Sequence, residues 1–144
     1  VLGVVGKEME LDNIVIQKEY QSVLPDIQGD PQLLQQVIMG LFVNAKWAIN
    51  KRQDKAARVI ILRTWSNPNE NMVYLLVADN GIGIPQESIS RIFEPFFTTK
   101  EVGEGTGLGL ALIYKIIENH DATIKVESQP GAGATFTMGF PIRR

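Results

Sequence analysis

Two glycine-rich stretches of the chain carry the residue types that could do chemistry. In the first, "VYLLVADNGIGI", an apolar run leads into Asp79, and Gly81 and Gly83 follow it. A carboxylate at a strand end can accept a hydrogen bond from an amine, such as the exocyclic amine of a purine base. Glycine lets other groups approach the backbone closely. The "DNG" triplet alone is also explained by an aspartate that caps a turn.

The second stretch, "GEGTGLGLALIYKII", begins at Gly103 and places four glycines at alternate positions before an apolar helix. Successive backbone amides at a helix N-terminus form a cradle for a phosphate group. The stretch is not a P-loop, because "GxxxxGK[ST]" is absent, and it lacks the preceding strand of a Rossmann fingerprint. A flexible loop before a helix remains the alternative.

The elements that must position these stretches alternate between strand and helix. Asp30 is a good N-cap and Pro31 a good first residue for a helix, and apolar residues follow at helical spacing. The sequence predicts helices over 31–50 and 108–119, and strands over 13–20, 59–65, 72–78, 124–127 and 136–140. Strands interleaved with helices but paired by hairpins indicate a two-layer α/β sandwich, with helices on one face of a mixed, mostly antiparallel sheet.

The composition restricts the class of protein. The 144 residues are 44% hydrophobic and 21% charged, which fits a single domain over 1–144. The chain has no cysteine, which excludes disulfides and thiolate chemistry and favours a cytoplasmic location. A net charge of -2, without a long basic run, argues against nucleic-acid binding. Apolar runs fall short of the ~20 residues that span a membrane, so we expect no membrane contact by this domain.

Five segments, in order, resemble the motifs of a known family. They are "QQVIMGLFVNA" (N box), "DNGIGI" (G1 box), "RIFEPFFTTK" (F box), "GEGTGLGL" (G2 box) and "GAGATF". Together they resemble the ATP-binding catalytic domain of sensor histidine kinases, within the gyrase, Hsp90, histidine kinase and MutL superfamily. The resemblance implies a mobile ATP lid. It also implies that residues 1–11 are the tail of a linker from a phosphoacceptor helical hairpin outside this chain.

The resemblance also implies the ligands and the residues that hold them. ATP and Mg²⁺ are the expected cofactors; Asn44 matches the residue that coordinates Mg²⁺, and Asp79 matches the residue that recognises the adenine amine. The other expected nucleotide-binding residues are Trp47, Ala48, Lys51, Gly81, Gly83, Ile84, Thr99, Lys100, Gly105, Thr106, Gly107, Leu108, Gly109, Leu110 and Thr135.

The chemistry that the resemblance implies needs partners. Bound Mg-ATP would donate its γ-phosphate to a histidine on the phosphoacceptor and dimerisation domain of the same parent protein, and a response regulator receiver domain would act downstream. The acceptor histidine lies outside this chain. His120 is the only histidine, and it stands at a helix end, where we interpret it as a structural or surface residue.

The chain departs from the family pattern at three places. Gly40 replaces the first Asn of the N box, where the ATP hydrolases of the superfamily carry a Glu that activates water, so hydrolysis lacks a base there. Trp47 stands where many members have a basic residue, and Lys51 or Lys100 would have to supply that phosphate contact. Residues 120–122, "HDA", replace "HGG", which predicts a changed turn after the second helix.

Two other functions fit parts of this pattern. The first is a regulatory module that binds nucleotide without transferring phosphate, which Gly40 and Trp47 motivate. The second is a serine kinase of the anti-sigma type in the same superfamily, but that class expects an acidic residue at position 40. Transfer of phosphate to a supplied acceptor hairpin discriminates the first alternative from a histidine kinase.

Overall fold

The computed structural model describes residues 13–52, 54, 57–98 and 109–143. In chain order the elements are β1 (Val15–Tyr20), α1 (Pro31–Asn50), β2 (Val59–Asn67), β3 (Met72–Asp79), α2 (Gln86–Ile89), α3 (Gly109–Asn119), β4 (Thr123–Gln129) and β5 (Gly133–Pro141).

Helix α1 begins where its capping residues predict. The Asp30 side chain accepts a hydrogen bond of 2.9 Å from the backbone N–H of Gln32, and Pro31 occupies the first turn, where it needs no donor. The apolar residues that follow at helical spacing form one buried stripe: Val37, Leu41, Phe42, Ala45 and Ile49. The predicted helix is confirmed over its full length.

The five strands form one sheet in the order β1-β2-β3-β5-β4. β1 pairs with β2 in parallel, and the other three pairings are antiparallel. The predicted hairpin between β2 and β3 is present, and Trp65 stacks on its cross-strand partner Tyr74 at a ring-centroid distance of 5.3 Å. The predicted mixed, mostly antiparallel sheet is confirmed.

The core lies between one face of this sheet and helices α1 and α3. Alternate strand residues point to the same face, so Leu62, Val77 and Phe136 line up across three strands and are buried. They pack in one cluster with residues of α1 and with Ile113 and Ile117 of α3. This is the predicted α/β sandwich, and it leaves the C-terminal end of β3 between the two helices. Among the described residues, no helix combines the length and apolarity that a bilayer crossing requires.

In the turn that follows α3, the structure differs from what the sequence predicts. Asp121 adopts φ 54°, in the left-handed region, and the backbone N–H groups of Asp121 and Ala122 donate to the carbonyls of Glu118 and Ile117, each at 3.1 Å. This is the usual glycine-type helix end, a Schellman motif. The expected change of turn was wrong, because aspartate tolerates the left-handed conformation better than most residues with a side chain.

One further difference concerns the segment between β3 and α3. The short helix α2 was not predicted, because a four-residue helix is too short to show a periodic apolar pattern. The expected ATP lid lies in 99–108, outside the described residues.

Candidate functional site

A cavity of about 430 Å³ opens between α1 and α3, beside the C-terminal end of β3. Its volume lies within the range of small-molecule sites, and most of its lining is apolar. The lining residues are Gly40, Val43, Asn44, Trp47, Ala48, Asp79, Gly83, Ile84, Ile92, Phe97, Thr98, Gly109, Leu110, Ile113, Ala134 and Phe136.

The cavity brings together eight of the residues that the sequence predicts for the site. They come from three separate segments of the chain: Asn44, Trp47, Ala48, Asp79, Gly83, Ile84, Gly109 and Leu110. Six further predicted residues, Thr99, Lys100, Gly105, Thr106, Gly107 and Leu108, lie outside the described residues.

Three predicted residues do not line this cavity. Lys51 is exposed just beyond α1, with its ammonium 5.6 Å from the centroid of the Trp47 ring. Thr135 lies between two lining residues of β5, Ala134 and Phe136, so its side chain points to the opposite face of the sheet. Gly81 packs behind the cavity wall, against α1.

Asp79 is the polar centre of the cavity. Its carboxylate accepts hydrogen bonds from the backbone N–H groups of Gly81, at 2.8 Å, and Ala134. Burial raises the pKa of Asp79 to about 6, although these two hydrogen bonds act in the opposite direction. Near neutral pH the site therefore presents a charged acceptor inside an apolar lining, which suits a ligand with a hydrogen-bond donor and an apolar body.

The two glycines after Asp79 are required by close packing of the protein against itself. A Cβ at Gly81 would lie 2.5 Å from the Ala48 carbonyl carbon, and the next residue, Ile82, donates its N–H to the Ala48 carbonyl at 3.1 Å. Gly83 has φ +77°, and a Cβ there would overlap the carbonyl oxygen of Gln129. The 80–85 loop is thus held between α1 and the end of β4, with Ile84 facing the cavity.

Asn44, the one predicted metal ligand, lies on the α1 side of the cavity. The described residues hold no group of three or more His, Cys, Asp or Glu side chains that could bind a metal alone. Mg²⁺ prefers oxygen ligands, keeps several waters and usually takes one or two protein ligands together with phosphate oxygens. Asn44 lines the cavity, and its side-chain amide offers one oxygen ligand for this manner of binding.

Two of the three F-box aromatics, Phe93 and Phe97, pack against other side chains of the domain. Phe93 lies 5.2 Å from the Tyr114 ring and 6.5 Å from the Phe136 ring, between centroids. Phe97 lines the cavity, and the Arg91 guanidinium stands 4.6 Å from the centroid of its ring. Phe96 is 75% exposed. Phe93 and Phe97 therefore contribute to packing, whereas the exposed side chain of Phe96 does not.

A polar network behind Asp79 was not found from the sequence. The side chain of Asn80 accepts from the Val59 N–H at 3.0 Å and donates to the Ala57 carbonyl. Arg52, whose side chain is only 10% exposed, donates to the Asn80 carbonyl at 2.7 Å. Arg52 stands in the charged segment "NKRQDKAAR", where nothing local distinguishes it from its exposed neighbours.

Sequence comparisons match this chain to one family. A profile described as "Histidine kinase-, DNA gyrase B-, and HSP90-like ATPase" matches residues 29–144. Sensor histidine kinase ZraS of Escherichia coli K12 is 37% identical over 98% of this chain and 28% of its own length. Signal transduction histidine-protein kinase AtoS of the same strain is 42% identical over 86% of this chain and 19% of its own. Sporulation kinase A of Bacillus subtilis is 38% identical over 98% of this chain and 22% of its own. The chain thus spans less than a third of each of these relatives.

Solved structures agree with the sequence match. The catalytic domain of histidine kinase ThkA, in a nucleotide-free form, superposes with a TM-score of 0.81 at 29% identity, over 98% of this chain and 88% of that one. Full-length ShkA, solved in complex with AMPPNP, gives a TM-score of 0.80 at 28% identity, over 98% of this chain and 29% of that one. The chain therefore belongs to the histidine kinase-, DNA gyrase B- and HSP90-like ATPase family, as a catalytic domain of the histidine kinase type.

Proposed function

We propose that this domain binds Mg-ATP and donates the γ-phosphate to a histidine on a separate dimerisation and phosphoacceptor domain of its parent protein, in two-component signal transduction. One observation carries the proposal. The half-buried carboxylate of Asp79 and the N-terminal end of α3 face the same cavity, so one ligand can meet an amine acceptor and a phosphate cradle together.

The adenine end of the proposed site is the part around Asp79. The ionised carboxylate accepts a hydrogen bond from the 6-amine of adenine, while Ile84 and Phe136 provide apolar contact with the faces of the base. Hydrogen bonds from Gly81 and Ala134 hold the carboxylate in a fixed orientation. A 6-oxo purine, which presents an acceptor to Asp79, binds less well.

The phosphate end lies between α1 and the start of α3. Gly109 and Leu110 line the cavity at the start of α3, and the backbone N–H groups and dipole of a helix N-terminus attract a phosphate. Asn44 would hold Mg²⁺ through its amide oxygen, with the remaining ligands from water and the phosphates. When bound, Mg²⁺ neutralises charge that develops on the transferring phosphoryl group.

The cavity favours transfer over hydrolysis. Among its lining residues in the described part of the chain, Asp79 is the only carboxylate, and it lies at the proposed adenine end. Gly40 also lines the cavity and offers no side chain that could activate water. We therefore expect the γ-phosphate to be transferred to a nucleophile supplied from outside this chain.

The proposal includes partners and a location. The phosphoacceptor domain of the same parent supplies the histidine, and a response regulator receiver domain takes the phosphate from it. Because ATP is the donor, the domain works in the cytoplasm. The similarity to sensor histidine kinases supports this scheme, since those relatives are longer proteins of which this chain matches one part.

Calorimetric titration with ATP, with and without Mg²⁺, tests the proposal. We expect saturable binding that Mg²⁺ strengthens and that Asp79→Asn weakens at least tenfold, because a charge-assisted hydrogen bond contributes about 1.5–3 kcal/mol. Glu127→Gln, which removes an exposed carboxylate on β4, is the matched control and should bind as the unchanged chain does. No binding at millimolar ATP would overturn the proposal. Binding without transfer to an added acceptor domain would instead support a regulatory nucleotide-binding module.

A further inference from the structure

The turn between β4 and β5 is bonded to the loop that carries the proposed adenine site. The Gly131 N–H donates to the Ile82 carbonyl at 2.7 Å, and the Gln86 side-chain amide donates to the Ser128 carbonyl. These contacts join two segments that are more than forty residues apart in the chain. The geometry of the 80–85 loop therefore depends on the end of β4.

The hydroxyl of Ser128 is the centre of this contact. Its oxygen accepts a hydrogen bond of 2.8 Å from the Ile84 N–H and donates one of 2.8 Å to the Gly133 carbonyl. Both bonds are partly buried, and Ile84 is a cavity-lining residue. One hydroxyl thus connects the wall of the cavity to the first residue of β5.

The Gly133 carbonyl belongs to the same peptide unit as the Ala134 N–H, and that N–H donates to Asp79. Because a peptide unit is planar, a bond that orients its carbonyl also orients its N–H. Gly133 also packs tightly against the backbone of Asp79, because a Cβ at position 133 would overlap the Asp79 carbonyl oxygen. A continuous path runs from the Ile84 N–H through the Ser128 hydroxyl and this peptide to the Asp79 carboxylate.

We infer that Ser128 is a positioning residue for purine selectivity: its hydroxyl orients both the cavity wall at Ile84 and the peptide that aims the Asp79 carboxylate. The inference rests on the proposed adenine site. Ser128 does not itself line the cavity in the described part of the chain. Its effect on the ligand is therefore indirect, through the orientation of Asp79.

This role differs from that of a hydroxyl that only stabilises the fold. Loss of a merely stabilising bond would lower the melting temperature and leave the preference between two purines unchanged in the folded protein. Loss of a positioning bond misaligns the group that distinguishes the 6-amine of adenine from a 6-oxo group. The preference for ATP over inosine triphosphate therefore separates the two roles.

The experiment measures Kd for ATP and for inosine triphosphate, by calorimetry below the melting temperature, in the unchanged chain and in Ser128→Ala. We expect the ATP preference, the ratio of the two Kd values, to fall about 3- to 10-fold in Ser128→Ala, the effect of one lost hydrogen bond. Ser128→Thr keeps the hydroxyl and should restore the preference. The matched control is Ser66→Ala, because the Ser66 hydroxyl also holds a distant side chain, Gln21 at 2.9 Å, but lies far from the cavity lining.

The outcomes separate this inference from the proposed function. If the unchanged chain binds ATP, and Asp79→Asn abolishes the preference while Ser128→Ala leaves it intact, the inference is wrong and the proposed function stands. An equal fall in Ser66→Ala would likewise overturn it. If the unchanged chain shows no preference for ATP, the proposed adenine site and this inference fail together.

Discussion

The imidazole of His120 joins the end of α3 to the start of α1: its Nε2 accepts a hydrogen bond of 3.0 Å from the backbone N–H of Asp30. Its Nδ1 lies 2.8 Å from the Ile116 carbonyl oxygen. Since a backbone N–H only donates and a carbonyl only accepts, the ring is neutral, with its proton on Nδ1. This geometry supports the interpretation of the only histidine as a structural residue at a helix end.

Replacing His120 by alanine should lower the free energy of unfolding by about 1–2 kcal/mol, because both hydrogen bonds are lost. Urea unfolding followed by circular dichroism measures this change. Lys125→Ala, on the exposed side of β4, is the control and should have little effect. Phosphotransfer to a supplied acceptor domain should continue in His120→Ala at a temperature where it is folded; its loss would contradict a purely structural role.

The raised pKa of Asp79 predicts how stability depends on pH. The unfolded chain releases this proton near pH 3.8, whereas the folded chain keeps it up to about pH 6, so folding stability falls as the pH rises between these values. The difference between the two pKa values means that the ligand-free domain loses roughly 1–3 kcal/mol of its free energy of unfolding by neutral pH. Urea unfolding at intervals from pH 4 to pH 8 should show this decrease.

Asp79→Asn should flatten that decrease, because the titrating group is gone, whereas Glu127→Gln should retain it. A parallel decrease in both variants would show that Asp79 is not its source. The affinity for ATP should increase with pH over the range in which the folding stability decreases. It should weaken as the pH falls below about 6, where protonation removes the charge that accepts the adenine amine.

Gly40 lies in contact with Ile113, since a Cβ at position 40 would stand 2.8 Å from the Ile113 Cδ1 atom. Gly40→Ala gains about 1 kcal/mol in helix propensity but forces Ile113 to move. Ile113→Val removes the atom in the way. We expect the double variant to be about 1 kcal/mol more stable than the sum of the single changes, as measured by a double-mutant cycle in urea. Gly40→Ala combined with Ile49→Val, nine residues further along α1, should be additive.

Asp121, in the turn after α3, is a position where glycine should stabilise the fold. Asp121 has φ 54°, which costs a residue with a side chain more than glycine. Asp121→Gly should raise the free energy of unfolding by up to about 1 kcal/mol. Glu118→Gly, inside the helix, should lower it by about as much. Thermal unfolding by calorimetry compares the two, and equal destabilisation would contradict the Schellman geometry.

The position of Lys51 predicts that its side chain contributes to the binding of the ligand's phosphates. Its ammonium lies 5.6 Å from the ring centroid of Trp47, which lines the cavity. Lys51→Ala should raise Kd for ATP about 2- to 5-fold and leave Kd for adenosine unchanged, because the charge acts on the phosphates. Lys115→Ala, an exposed lysine of α3 near Glu118, is the control. An equal loss for adenosine would assign the effect to packing.

The sequence by itself determined the elements and the order of the motifs. The N-cap at Asp30, the first-turn Pro31 and the apolar spacing predicted α1 from its first residue to its last. The alternation in β4 and β5 and the turn residues between β2 and β3 predicted the hairpins. Such signals act over a few residues, because helix and strand periodicity and capping are local properties of the backbone.

Only the tertiary structure decided which of the predicted residues meet. Whether Thr135 faces the cavity depends on the register of β5 with β3, and the role of Gly81 depends on the approach of α1. The Ser128 bond to Ile84 spans 44 residues, and the bond from Arg52 to Asn80 spans 28. A hydroxyl or a guanidinium has the same local sequence signature whether it is solvated or buried. Its partner is chosen by the packing of the whole domain, since a buried polar group must find a hydrogen bond wherever the fold places it.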